Sequence, residues 1–231
     1  MGVNEMRMTK RRWRVKGPEM EGVIARWYTR LRSSGSQREE YRRQAADLTE
    51  GLPAGAKVLE VAPGPGYLAI EIARLGFQVT ALDISRTFVQ IGTDKARQAG
   101  VSVDFRQGDA AVMPFGAESF DLIVCQAAFK NFTYPGSALD EMHRVLRTGG
   151  TAVIQDMSND ASHADIELEV KQMKLDWFSS FTTKATLESL RRRAYTPRQF
   201  EGLAAESAFR TCAIQTEGIG LEVRLTKQKE A

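Results

Sequence analysis

The sequence predicts an α/β protein, a doubly wound and mostly parallel seven-stranded sheet with an antiparallel strand near the C-terminus. Two observations carry that prediction. From Lys57 onward, short β-rich runs alternate with longer helical runs, which implies a parallel sheet with helices on both faces. The last two strand-like runs, in "TCAIQTEGIGLEVRLT", are joined only through Gly218, and so short a connection makes them antiparallel. A length of 231 residues suits one such domain with a small appended cap, and 42% hydrophobic with 26% charged residues suits a soluble core.

The elements follow in order. Residues 1–16 are basic, with Arg7, Lys10, Arg11, Arg12, Arg14 and Lys16, and are expected to be a disordered tail. Residues 17–52 are expected to form a helical lid. Met20, Ile24, Trp27 and Leu31 recur at helical spacing from Pro18 to Arg32, and a polar helix follows "SSGS" from about Gln37 to Glu50. The core occupies 53–231. "KVLEVA" is a buried strand, "GYLAIEIARLG" a helix stopped by Gly76, and "FQVTALD" a second strand. Ser85 caps the next helix, which ends at Gly100. "VSVDFRQGD" and "FDLIVCQAA" are the third and fourth strands, Ser137 to Arg147 is helical, and "TGGTAVIQD" leads into the fifth. A helical cap is inserted at about 160–193, with Ile166, Val170, Met173 and Trp177 as its stripe. A helix capped by Thr196 with Pro197 in its first turn precedes the final hairpin.

Composition narrows the function. No apolar run approaches the ~20 residues that span a bilayer, and the basic start lacks the apolar segment of a secretory signal. A cytoplasmic protein is expected, with no membrane partner. A net charge of +3 and the lack of an aromatic platform argue against nucleic acid. Cys125 and Cys212 sit in separate apolar segments and read as buried hydrophobes rather than as a disulfide or a metal site.

The chemistry concentrates where the first strand meets its helix. Gly64 and Gly66 let backbone approach a ligand closely, beside the free N–H groups of a helix start. Asp83, at the end of the second strand, suits ribose hydroxyls. "GPGYLA" also fits a dinucleotide pattern, so a nicotinamide-type oxidoreductase has to be weighed. Three features oppose it. Glu60 places a carboxylate inside the end of an apolar strand, which calls for a hydrogen-bonding partner. "GDAAVMPF" offers Asp109 to an adenine amino group, with Met113 and Phe115 as apolar surface. The chain also closes on an antiparallel pair instead of a second nucleotide-binding half.

In this order, "LEVAPGPG", "ALDIS", "GDAAVMPF", "FDLIVCQAAF" and "EMHRVLRTGGTAVIQD" make the sequence resemble the class I S-adenosylmethionine-dependent methyltransferases, from about Lys57 to Asp156. The resemblance implies a Rossmann-like core and S-adenosylmethionine as cofactor, with S-adenosylhomocysteine as product. It places Glu60, Gly64 and Gly66 around the methionine end, Asp83 on the ribose, and Ile84 on the adenine. Asp109 and the Ala110 backbone would face the adenine amino group beside Met113, and Gln126 and Ala127 would lie near the methionine moiety. Ala62 stands where the family's loop usually begins with a glycine, and is expected to be a mild variation.

The loop after the fourth strand, "QAAFKNFTYP", is where the resemblance places the methyl acceptor. Lys130 and Asn131, between Phe129 and Phe132, are candidates to orient or deprotonate it, and His163 is a third candidate base. The loop lacks the Asn/Asp-Pro-Pro-aromatic motif of adenine-modifying enzymes and the paired glutamates of arginine methyltransferases. Cys125 and Gln126 end the strand in place of a metal-ligating aspartate, so no metal is expected. Trp27 and Tyr28 on one side, with Phe129, Trp177, Phe178 and Phe181 on the other, are candidates to close over an apolar or aromatic small-molecule acceptor. The expected function is metal-independent methyl transfer to such an acceptor. A non-catalytic, cofactor-binding regulatory partner stands as the alternative from another class, and a homodimer is left open.

Overall fold

The computed structural model describes residues 20–31, 35–173 and 177–229, with only the backbone described at 31, 35, 36 and 177–179. The basic tail therefore lies outside the described residues, as do the side chains of Leu31, Trp177 and Phe178. Two helices, α1 (Gly22–Leu31) and α2 (Gly35–Thr49), precede the sheet. The core then runs β1 (Lys57–Val61), α3 (Tyr67–Arg74), β2 (Gln78–Asp83), α4 (Arg86–Ala99), β3 (Val103–Gln107), β4 (Phe120–Gln126), a 3-10 turn at Phe129–Asn131, α5 (Pro135–Val145) and β5 (Leu146–Met157). It closes with α6 (His163–Gln172), α7 (Trp177–Arg191), α8 (Pro197–Glu206), β6 (Ala213–Glu217) and β7 (Gly220–Thr226). No described helix is long and apolar enough to cross a membrane.

The seven strands form one sheet in the order β3-β2-β1-β4-β5-β7-β6. Only β7 runs antiparallel to its neighbours, β5 and β6. The predicted fold class is therefore the observed one. The alternation of Val58, Leu122, Val124 and Val153 against Leu59, Ile123, Cys125 and Ile154 buries both faces of the central strands. On one face α2 and α3 contribute Ala45, Leu48, Leu68 and Ile72. On the other, α5 and α8 contribute Leu139, Met142, Phe200 and Ala204, and Phe129, Phe132, Tyr195 and Phe200 gather into an aromatic cluster.

Local chemistry sets the boundaries. Ser85 caps α4 by accepting from the Phe88 N–H, and Gly100 ends it in a left-handed conformation. Thr196 and Gln199 form a reciprocal capping box on α8. The helix before β5 begins at Pro135 rather than Ser137, and β5 follows it without a loop, so "TGG" lies inside the strand. Residues 108–119 cross from β3 to β4 without a helix. This crossing is pinned to α5, since the Met113 N–H donates to Glu141 (2.6 Å) and Arg144 donates to the carbonyls of Phe115 (2.8 Å) and Met113 (3.1 Å).

Helix α1 departs from its apolar periodicity. Ile24 and Trp27 face outward, Trp27 with 60% of its surface exposed, while Ala25 is fully buried. The small Ala25 allows close packing on α4, and polar contacts decide the orientation. The Glu21 carboxylate accepts from the N–H groups of Arg86 (2.8 Å) and Thr87 (3.1 Å) and from the Thr87 hydroxyl, and Ser85 Oγ donates to the Met20 carbonyl (2.7 Å). Glu21 thus occupies the positive end of the α4 dipole, where an acidic group is favoured. In the cap, Ile166 and Val170 are buried as the stripe predicts, while Met173 is exposed.

Candidate functional site

The strand order reverses between β1 and β4, both of which run parallel to their outer neighbours. In such sheets the crevice beyond the carboxyl ends of these two strands is the ligand site. Each strand ends in the same way. The Ala62 N–H donates to Leu82 O (2.8 Å) and the Ala127 N–H to Gln155 O (2.7 Å), each completing the ladder to the neighbouring strand. Each alanine then turns left-handed, with φ of 57° at Ala62 and 55° at Ala127.

Ala62 is therefore not the mild variation that right-handed geometry would have made it. A left-handed alanine costs about 1 kcal/mol relative to glycine. Ala62→Gly is expected to raise stability by roughly that amount, moving Tm up by about 2–4 °C. A differential scanning measurement checks this, and an unchanged or lower Tm would mean that the turn is unstrained. Nothing in the structure explains why alanine stands there.

The glycine loop follows. Gly64 and Gly66 have φ of 55° and 77°. A Cβ at Gly66 would meet the Phe105 ring at 2.4 Å, so only glycine lets α3 start this close to β3. Two buried carboxylates flank the loop. Asp83 accepts from the Gly64 N–H (3.0 Å) and the Ser85 N–H (2.8 Å). Burial raises its pKa to about 6, against the pull of those two N–H groups and with Glu21 nearby adding to the rise. Glu60 is fully buried, and its Oε2 has no hydrogen-bond partner among the described residues. Burial pushes its pKa to about 8, opposed by the Ala69 N–H and reinforced by the charge on Asp83. An orphaned buried carboxylate oxygen beside a glycine cradle fits a ligand that brings positive charge and hydroxyl donors.

The other cofactor candidates border this crevice. Ile84 is half-buried after Asp83. Asp109 and Ala110 open the crossing loop, where Asp109 Oδ1 accepts from the Ala111 N–H (2.9 Å), while Met113 is buried in the core. Gln126 and Ala127 stand at the end of β4, the first half-buried and the second exposed. Tyr28 packs edge-on against Phe88, and its ring lies 4.0 Å from where a Cβ on Gly64 would sit.

Several acceptor-side candidates fall elsewhere. Phe129 is fully buried in the aromatic cluster and presents no surface to a ligand. Lys130 turns inward. Its Nζ donates to Asp156 Oδ1 (2.6 Å) and to the Ala127 carbonyl (2.7 Å), and the pair is 5% and 2% exposed. The Asp156 carboxylate also takes the N–H groups of Lys130 (3.0 Å) and Met157 (2.8 Å). Lys130 thus ties the loop to β5 and is not presented as a base. His163 starts α6, exposed, and pairs with Glu188 on α7 rather than with the loop. Phe181 and Trp27 are exposed, and Trp177 lies outside the described side chains. Asn131 keeps a buried Oδ1 without a partner among the described residues.

Beyond β4 lies a groove of about 870 Å³, a volume suited to a small molecule. Its wall includes Gln44 of α2 and Gln126, Ala127, Gln155 and Glu222 from the ends of β4, β5 and β7. Sequence reasoning missed Gln44, Gln155 and Glu222. The hydrophilic ends of "AVIQD" and "GLEVRL" were the available signal, since a polar side chain on a buried-strand pattern marks where the strand leaves the core.

Comparison with known proteins falls on the same residues. Residues 59–154 match a family model described as a methyltransferase domain. The demethylmenaquinone methyltransferase of Renibacterium salmoninarum is 36% identical over 126 residues, 54% of this chain and 51% of that protein. The ubiquinone/menaquinone biosynthesis C-methyltransferase UbiE of Pseudomonas putida is 32% identical over 130 residues, 54% and 50% of the two. The chain thus spans about half the length of these relatives. A Methanococcus maripaludis structure, assigned as an S-adenosyl-L-methionine-dependent methyltransferase, superimposes with a TM-score of 0.69 at 19% identity, covering 90% of this chain and 94% of that one, and shows the shared fold. The sheet order, the glycine loop and the sequence match thus converge on one crevice, and the region around it, residues 59–154, is similar to methyltransferase domains.

Proposed function

We propose that the protein transfers a methyl group from S-adenosylmethionine to a small organic acceptor, without a metal. The observation that carries this reading is the pair of buried carboxylates beside the glycine loop, Glu60 with an orphaned oxygen and Asp83 against the loop N–H. A cationic nucleoside satisfies both. A dinucleotide would bring its diphosphate to the glycine loop beside the buried Glu60 carboxylate, which disfavours the oxidoreductase alternative.

When bound, the cofactor supplies an already activated methyl group on a sulfonium. The chain's work is then to bind and align. Glu60 faces the methionine end, Asp83 holds the ribose hydroxyls, and Ile84, Asp109 and Ala110 border the adenine, with Met113 buried in the core behind the crossing loop. Gln126 and Ala127 edge the route from the crevice into the groove, and Asn131 is the loop residue whose chemistry fits orienting an acceptor. Helix α1, strapped to α4 through Glu21, is the lid on the ribose side. The relatives named for quinone methylation support an aromatic or quinone-like reacting ring.

Calorimetric titration with S-adenosylmethionine, S-adenosylhomocysteine and NADH tests the reading. Micromolar binding of the two sulfur nucleotides and none of NADH is expected. Asp83→Asn keeps the shape but offers N–H where the loop donates, so both sulfur nucleotides should bind roughly 10–100-fold more weakly. Unchanged affinity would remove the ribose assignment. Cofactor binding without formation of S-adenosylhomocysteine in the presence of any acceptor tried would favour the non-catalytic partner.

A further inference from the structure

The groove past β4 has a floor that the cofactor assignment leaves unused. Gln126 pairs with Gln155, Gln155 with Glu222, and Glu222 with Gln215, so four side chains form one row on one face of β4, β5, β7 and β6. Paired residues on adjacent strands share a face, and these four line the groove.

The row is polarised from one end. The Glu222 carboxylate can only accept, so it fixes the Gln155 amide to donate through Nε2 (2.7 Å). Gln155 Oε1 then accepts from Gln126 Nε2 (3.0 Å), which also donates to Gln44 Oε1 (2.9 Å). Both hydrogens of the Gln126 amide are used, and its oxygen is left as an acceptor. Asp156, Glu217 and Glu222 line the groove, while none of its lining residues is Lys, Arg or His. Asp156 is neutralised by Lys130, and Arg224 takes one oxygen of Glu222 (2.7 Å). Glu217 is exposed and has no partner among the described residues. The surface is therefore rich in acceptors and net negative.

The matched methyltransferase region ends at residue 154, one residue before Gln155. Gln155, Gln215, Glu217 and Glu222 all lie past it, outside the region matched to that domain model.

We propose that the methyl acceptor carries a positively charged, hydrogen-bond-donating group that lies over the Gln126–Gln155–Glu222–Gln215 row, apart from the atom that is methylated. This rests on the methyltransferase reading and names the substrate class of its acceptor side. An ammonium supplies the donors and the charge that this wall lacks, and charge-assisted bonds to Glu222 and Glu217 outweigh those a neutral group would make.

Matched probes test it by calorimetry, with and without saturating S-adenosylhomocysteine: tyramine against 4-ethylphenol, and dopamine against 4-ethylcatechol. The amine of each pair should bind about tenfold more tightly. That preference should shrink in Glu222→Gln and Glu217→Gln, two variants that keep the groove's shape, with melting curves confirming that both are folded. Equal or tighter binding of the neutral probe overturns the proposal, as does an amine preference untouched in both variants, which would place the binding elsewhere. If S-adenosylhomocysteine fails to bind, the methyltransferase reading fails, and the titrations without it still decide the groove.

Discussion

At pH 8 the Glu60→Gln variant should melt about 5–10 °C above the wild type, while at pH 5 the two should nearly coincide. Burial raises the Glu60 pKa from 4.5 to about 8. The folded protein therefore holds a proton that the unfolded chain releases. Stability is greatest below the unfolded value, falls as pH rises from about 4.5 to about 8, and is flat above. The loss at pH 8 is on the order of 2–4 kcal/mol, and glutamine, which cannot ionise, escapes it. The same substitution should weaken S-adenosylmethionine binding, because the neutral amide no longer answers a cation. In the wild type, binding should release a proton and strengthen as pH rises towards 8. Melting curves from pH 5 to 9, with calorimetry in buffers of different ionisation enthalpy, measure both halves. Parallel melting curves for the two proteins across that range would show that Glu60 is already ionised in the free protein.

Lys130→Ala should cost about 3–5 kcal/mol of folding stability, because it leaves the Asp156 carboxylate buried without a counter-charge. The double variant Lys130→Ala with Asp156→Asn should recover a large part of that loss, since the amide carries no charge. Denaturant unfolding of the wild type, both single variants and the double variant gives the coupling directly. A loss below 1 kcal/mol in Lys130→Ala, with turnover strongly reduced, would instead restore Lys130 to the reacting centre. A group acting as a base lowers kcat without moving the melting point, so the two roles separate cleanly.

These two residues also mark how far the sequence can be read. Strand and helix periodicity, Ser85, Thr196 and the glycines are local signals, and the structure follows them closely. Asp83 and Glu60 were legible because a carboxylate on an apolar strand is conspicuous. The partner of Lys130 lies 26 residues away on the next strand, and nothing near Lys130 announces it. The outward turn of Trp27 was likewise hidden, because a polar latch from Glu21 to the start of α4 overrode the apolar stripe. At Ala62 the residue type argued for ordinary geometry, and the demand for a left-handed turn came from the strand end itself. The Gln–Glu row depends on register across four strands, which only the folded sheet assembles.

The sheet order has a consequence for redesign. The crevice at β1 and β4 is built from the first two thirds of the core, and the outer wall of the groove from β5, β6 and β7, with β4 as their common border. On the proposed function, changes after residue 154 can therefore reshape the outer wall of the groove while the residues of the β1–β4 crevice stay as they are. A chimera joined in β5, where the sheet supplies a continuous backbone ladder, should keep this protein's donor affinity and take its acceptor preference from the other parent.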